Sequence, residues 1–224
     1  MLKAASYIAF GLIAAICVAL FPKVAETPVT FSQWVQDREA TEEKYKDYWD
    51  DETITTLDRG PERSYELGDV VATLTLPALD IYEMPIYYGS DTINNNWQIT
   101  PSGYLGHWDM FGDEGVACVG AHNYQLFHDL PEVPIGSKFI IETDVDVYVY
   151  EIIGSAVYDH TKDDFSELAY RSAQVYSTDL ITCYPIEMIE TEDSYILYSR
   201  LQRGTVWPGT MNDTDKPQGQ YLNN

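Results

Sequence analysis

The chain has 224 residues, room for one ordinary domain with extensions, and 36 acidic against 13 basic residues leave a net charge of −23. That balance excludes a nucleic-acid or anionic-surface binder, which needs lysine and arginine patches to neutralise phosphate, and it favours a soluble monomer. A hydrophobic content of 45% with 18 tyrosines excludes a wholly disordered acidic chain, and three cysteines (Cys17, Cys118, Cys183) make neither a disulfide scaffold nor a zinc site.

Residues 4–22 carry no charge and sit between Lys3 and Lys23. Nineteen residues at about 1.5 Å rise approach the ~30 Å of a hydrocarbon core, so a transmembrane anchor over 1–23 is expected. A cleaved signal peptide is the alternative, but Lys23-Val24-Ala25 puts a lysine where cleavage wants a small residue. With three residues ahead of the span, the rest of the chain is expected outside the cell. No second apolar span is visible near the C-terminus.

Residues 24–69 read as an acidic helical stalk or linker. Thr30 and Gln33 fit a capping box, and Phe31, Trp34, Val35, Tyr45, Tyr48 and Trp49 recur at helical spacing, which predicts a helix over 31–49. It packs an aromatic face on the domain or serves as a stalk. After Gly60-Pro61 the texture changes to short runs rich in Val, Ile, Tyr and Thr. Strands are predicted at 70–76, 81–88, 116–120, 138–143, 145–158, 176–183 and 195–202. That many short strands suggest an all-β barrel or sandwich over 70–203. A short helix is expected within 160–173, and 204–224 reads as a polar tail.

Two residues at strand ends carry the chemistry. Cys183 lies in Leu-Ile-Thr-Cys-Tyr-Pro, where Pro185 ends the ladder, and a thiol at a strand end is reachable at a barrel rim. A small buried hydrophobe is the plainer role for such a cysteine. His122, in Gly-Ala-His-Asn-Tyr, also ends a β-type run. A cysteine nucleophile needs a base, because the thiolate is the reactive species, so the pair works only if the two strands are neighbours.

These segments resemble the sortases, cysteine transpeptidases of the Gram-positive cell surface. Leu74-Thr-Leu-Pro-Ala-Leu-Asp-Ile81 and Met84-Pro-Ile-Tyr-Tyr-Gly89 are similar to that family's first barrel strands. Val119-Gly-Ala-His-Asn-Tyr124 resembles its histidine segment, and Phe127-His-Asp-Leu130 to Val133-Pro-Ile-Gly-Ser-Lys-Phe139 the stretch that follows. Leu180-Ile-Thr-Cys-Tyr-Pro185 resembles its cysteine motif. The resemblance implies an eight-stranded closed β-barrel with short connecting helices. It assigns Cys183 as nucleophile, His122 as its proton partner, and Thr182 and Asn123 as substrate-binding residues.

The implied reaction cleaves a C-terminal sorting signal through a Cys183 thioester and passes the chain to an amine on a cell-wall precursor or pilin. The implied partners are sorting-signal-bearing surface proteins or pilins. The implied location is the cell membrane, single-pass, with the catalytic domain extracellular, as in the N-terminally anchored members. No resident cofactor is implied.

One position departs from the pattern. The family places an arginine on the strand after the cysteine, and Ser194 stands there. Losing one such donor typically costs ~10²–10³ in rate. Arg200 shares a strand face with Ser194, but six residues put it about 20 Å away. Arg171, on the crossover before the cysteine strand, is the other candidate. A sortase-like binding or assembly module without turnover is therefore the alternative function. Glu187, Glu190, Glu192 and Asp193 after the cysteine form a solvated loop, a groove for basic partners, or a calcium site. Cys118 is a core residue or a redox partner for Cys183.

Overall fold

The computed structural model describes residues 31–66, 69–88, 104–105, 110–124, 126–159, 161, 176–186 and 193–208, with backbone alone at 31–34 and 104–105. The anchor expected over 4–22, nearly all of the helix expected over 160–173, the acidic residues 187–192 and the tail from 209 lie outside the described residues. Among the described residues, no helix is long and apolar enough to cross a membrane. The chain divides into two units, Met1–Glu42 and Glu43–Asn224.

The first unit holds most of helix α1 (Phe31–Tyr45), in which Arg38 pairs with Glu42 one turn on. The sequence placed the helix end at 49. It ends at Tyr45 instead, and Tyr48 and Asp51 turn back with N–H bonds to the carbonyls of Tyr45 and Tyr48. Asp47, Asp50 and Asp51 follow at once, and negative charge opposes the dipole at a helix C-terminus.

The second unit is a curled sheet. Its strands are β1 (Ile54–Thr56), β2 (Val70–Leu76), β3 (Ile81–Tyr87), β4 (Tyr104–Leu105), β5 (Val116–Gly120), β6 (Lys138–Glu142), β7 (Val147–Asp159), β8 (Ser177–Tyr184) and β9 (Asp193–Val206). The hydrogen-bonded order is β1-β9-β7-β6-β2-β3-β4-β5-β8, and β8 also pairs with β9. The pairings thus trace a ring of eight strands with β1 added beside β9. The first half of β9 makes this possible, because Asp193–Leu197 pairs with β7 on one edge and β8 on the other.

Alternation along the strands decides what fills the interior. In β7 the tyrosine face points inward: Tyr148 and Tyr150 are buried in the main core, where Phe139 stacks on Tyr150 with centroids 5.2 Å apart. The opposite, aliphatic face of β7 is used too, since Val149 packs with Ile140 beneath Tyr45. The Tyr45 hydroxyl donates to Glu142 (2.5 Å), and Lys44 bridges Glu83 and Glu142.

The sheet reaches past both ends expected from the sequence. β1, inside the acidic approach, lies parallel to β9 with Ile54 opposite Gly204 and Thr56 opposite Val206. Residues 204–207 continue the fold rather than begin a tail, because Val206 and Trp207 are buried. The three exposed residues of β1 have no apolar alternation to announce them, and β4 is only two residues long. Both owe their strand character to a neighbour's ladder.

Candidate active site

β5 and β8 run parallel and adjacent, with Val116 opposite Ser177 and Gly120 opposite Ile181. Each ends within a few residues of a predicted site residue. Continuing the register by two residues carries His122 alongside Cys183 at the same end of the sheet. The ladder makes one further bond in that direction, from the Ala121 N–H to the Ile181 carbonyl at 3.2 Å. Sixty-one residues of sequence separation are thereby closed by one strand pairing.

Cys183 is half-buried on β8, next to its last residue. His122 is also half-buried, and its ring stacks on that of Tyr124 with centroids 4.9 Å apart and planes 20° from parallel. Such a stack holds the imidazole plane without using either nitrogen. Tyr124 was not singled out from the sequence; an aromatic two residues beyond a loop histidine is the signal that pointed to it. His128 is engaged elsewhere, with Nδ1 2.6 Å from Asp129 on the surface.

The two residues flanking the pair are buried and bonded inward. Thr182 donates through Oγ1 to the Ala121 carbonyl (2.8 Å) and is 3% exposed. Asn123 donates through Nδ2 to the Pro185 carbonyl (3.1 Å) and is 1% exposed. Both side chains, expected to contact substrate, here join the histidine segment to the cysteine strand.

Ser194 is the register partner of Cys183 across the β8–β9 ladder, and its side chain is buried. Directly opposed residues on antiparallel strands have Cβ atoms roughly 5 Å apart, so the departure noted in the sequence lies at the thiol itself. Each described arginine already pairs with a carboxylate. Arg38 bonds Glu42, Arg59 bonds Glu62, Arg63 bonds Asp113, Arg200 bonds Glu151, and Arg203 bonds Asp51 and Asp146. Arg171 lies outside the described residues.

Cys118 is buried on β5 and sits opposite Asp179. Cys183 is four residues farther along β8, about 13 Å away at strand rise, whereas a disulfide needs Cα atoms within ~7 Å. The redox pairing is excluded by register, and no disulfide joins Cys118 to Cys183.

Asp179 is a carboxyl the sequence reading passed over. It is 2% exposed on β8, and its Oδ2 has no hydrogen-bond partner among the described residues. Burial pushes its pKa up to about 7, and the Ser199 N–H on its Oδ1 (3.3 Å) pulls the other way. The signal was a lone acid inside a run of otherwise uncharged strand residues.

A thiol on β8 and an imidazole just past the end of β5 thus lie on neighbouring strands at one end of the sheet, with a tyrosine ring stacked on the imidazole and a neutral hydroxyl residue opposite the thiol. Such a site can carry out acyl transfer through a thioester, with the imidazole moving the proton. Among the described residues no three metal-ligating side chains cluster.

A family model, the sortase domain, matches residues 74–202. A search of curated proteins returns no match. Among solved structures, the chain is similar to Clostridium perfringens sortase C with the C-terminal cell wall sorting motif, at 16% identity and a TM-score of 0.53, over 80% of this chain and 94% of that one. It is also similar to sortase C-3 from Streptococcus pneumoniae, at 16% identity and a TM-score of 0.52, over 77% and 85% of the two chains. A lid mutant of sortase A from Corynebacterium diphtheriae aligns at 17% identity and a TM-score of 0.50, over 69% of this chain and 77% of that one. At these identities the structural likeness is one of fold.

Proposed function

The chain belongs to the sortase family, and from that premise we propose that it is a cysteine transpeptidase with Cys183 as nucleophile and His122 as its proton partner. One observation supports the assignment: β5 and β8 pair in parallel up to Gly120 opposite Ile181, each two residues short of His122 and Cys183. The thiolate attacks a backbone carbonyl in the sorting signal of a surface protein or pilin. His122 gives its proton to the departing amine, leaving a thioester on Cys183. An amine of a cell-wall precursor or pilin then attacks the thioester, loses its proton to His122 and releases Cys183. Atoms and charge balance over the cycle, because one amide bond is broken and one is made.

The uncharged run at 4–22 supports a membrane anchor, with residues 24 onward outside the cell and the protein working as a monomer. An approach segment from 24 and a catalytic domain from 70 complete this organisation, with Ile54–Thr56 of the approach joined to the domain's sheet and the domain running on through Trp207.

A second reading rests on its own observation. Ser194 occupies the position across from Cys183, and the described arginines are paired with carboxylates. An oxyanion formed there lacks a guanidinium donor from those residues, which supports a sortase-like module that holds or assembles substrates with impaired turnover.

Intact-mass spectrometry of the full chain with a library of sorting-signal peptides separates the two. The expected result is an acyl adduct on the wild type and none on Cys183→Ala. Adducts that form only after Ser194→Arg would establish the impaired module, and silence from both would remove the transpeptidase assignment.

A further inference from the structure

The regular ladder between β5 and β8 stops at Gly120 opposite Ile181, two residues short of His122 and Cys183. β5 ends at Gly120 and β8 at Tyr184, and the last main-chain bond joining them runs from Ala121 to Ile181. Beyond it Pro185 has no N–H to extend a ladder. The relative position of thiol and imidazole therefore depends on side chains.

Two are placed for this. Thr182, just before Cys183, bonds the carbonyl of Ala121, just before His122. Asn123, just after His122, reaches past Cys183 to the carbonyl of Pro185. The pair is bracketed on both sides. The Asn123 bond is the outer one, 62 residues across in sequence, and its donor residue is 1% exposed while Pro185 lies at the surface. A buried side-chain amide left without its acceptor costs about 1–3 kcal/mol, so the Asn123 amide favours holding the segment after Cys183 in place.

Resting on the catalytic assignment above, we propose that Asn123 is a positioning residue: its side-chain amide clamps the turn after Cys183 to the His122 segment and sets the thiol–imidazole geometry, without touching substrate. A misplacement of about 1 Å between reacting groups can cost about a hundredfold in rate, so one such bond is enough to matter.

The test compares full-chain wild type, His122→Ala, Asn123→Leu and Asn123→Asp. Two quantities are read. One is the rate of iodoacetamide alkylation at Cys183 against pH, located by peptide mass, which needs no peptide substrate. The other is the rate of acyl-adduct formation. Leucine keeps the volume and has no donor, and aspartate keeps the shape but turns the donor into an acceptor. Both should slow adduct formation roughly 10- to 100-fold at unchanged half-saturating peptide concentration. Both should also move the alkylation profile towards that of His122→Ala, which approaches an ordinary thiol titrating near pH ~8.5. A purely structural role would lower the unfolding midpoint and leave that profile alone.

A folded Asn123 variant with the wild-type profile and adduct rate would overturn the proposal. So would a His122→Ala profile identical to the wild type, because there would be no coupling to position. If both Asn123 variants fail to fold, hydrogen exchange at the wild-type Asn123 side-chain amide decides: slow exchange supports the clamp and free exchange removes it. If no peptide gives an adduct on the wild type while the alkylation profiles shift as expected, the transpeptidase reading fails and the clamp stands.

Discussion

The two ends of the sheet are built from different chemistry. β8 runs from Ser177 to Cys183 and Tyr184, and β9 returns from Ser194 to Val206, so the thiol end of the sheet lies a strand length from Trp207. At the far end the chain is tied by charge. Arg63 donates to both carboxylate oxygens of Asp113 (3.0 Å each) and to the Phe111 carbonyl (2.9 Å), with its guanidinium 5.0 Å over the Trp207 ring. The Trp207 indole N–H donates to Asp113 as well. Nearby Gly112, at φ +87°, is packed so closely that a Cβ would come within 2.6 Å of the Thr205 carbonyl oxygen. Arg203 similarly joins Asp51 and Asp146.

At the thiol end, the side-chain bonds joining the histidine and cysteine segments are neutral, from Thr182 and Asn123. The lesson is a division of labour. Guanidinium groups anchor the termini of the domain where a carboxylate is buried with them, while among the described residues the histidine and cysteine segments are joined by short uncharged donors. A neutral donor fixes geometry without altering the charge that a thiolate and imidazole experience.

The comparison breaks most visibly at the charged end. Arg63→Ala leaves Asp113 buried without its partner and should destabilise the protein by about 3–5 kcal/mol in urea unfolding. A loss under 1 kcal/mol would mean that the charged clamp is dispensable.

Asp179 tests the middle of β8. Its carboxyl titrates at about 7 in the folded protein against 3.8 for the unperturbed group. Between those values the folded state binds more protons than the unfolded one, so this group's contribution to stability falls as pH rises from ~4 to ~7 and is flat above. Asp179→Asn keeps the acceptor for the Ser199 N–H and carries no charge. It should remove that decline, read from unfolding curves at pH 4, 6 and 8. Parallel curves for variant and wild type would contradict the buried charge.

The smallest effect belongs to the reactive end. Tyr124→Ala removes the ring stacked on His122, an interaction of about 0.5–1.5 kcal/mol, and should slow adduct formation by up to about tenfold with little change in stability. An unchanged rate would show that Asn123 and Thr182 suffice to hold the histidine segment.

Much of the fold was legible because it is written in local alternation. Val70–Leu76 and Val116–Gly120 emerged with the predicted bounds, since apolar and β-branched runs broken by turn residues report strands directly. β1 and β4 were not legible, because exposed Ile54–Thr56 and the two residues of β4 become strands only beside a longer partner. The end of α1 was misread for a related reason: Tyr48 and Trp49 keep an apolar spacing but pack from a turn.

The sequence by itself set a thiol and an imidazole each at a strand end, and the family to which their motifs belong. The tertiary structure alone decided who stands next to whom. The β5–β8 register puts the strands that lead to His122 and Cys183 side by side, and it puts Cys118 too far from Cys183 for a disulfide. The β8–β9 register sets Ser194 across from the thiol, and packing turns Thr182 and Asn123 inward to bonds within the chain. Alternation is a property of neighbours in sequence and survives without a fold. Register joins residues some sixty positions apart, and it exists only once the sheet has paired.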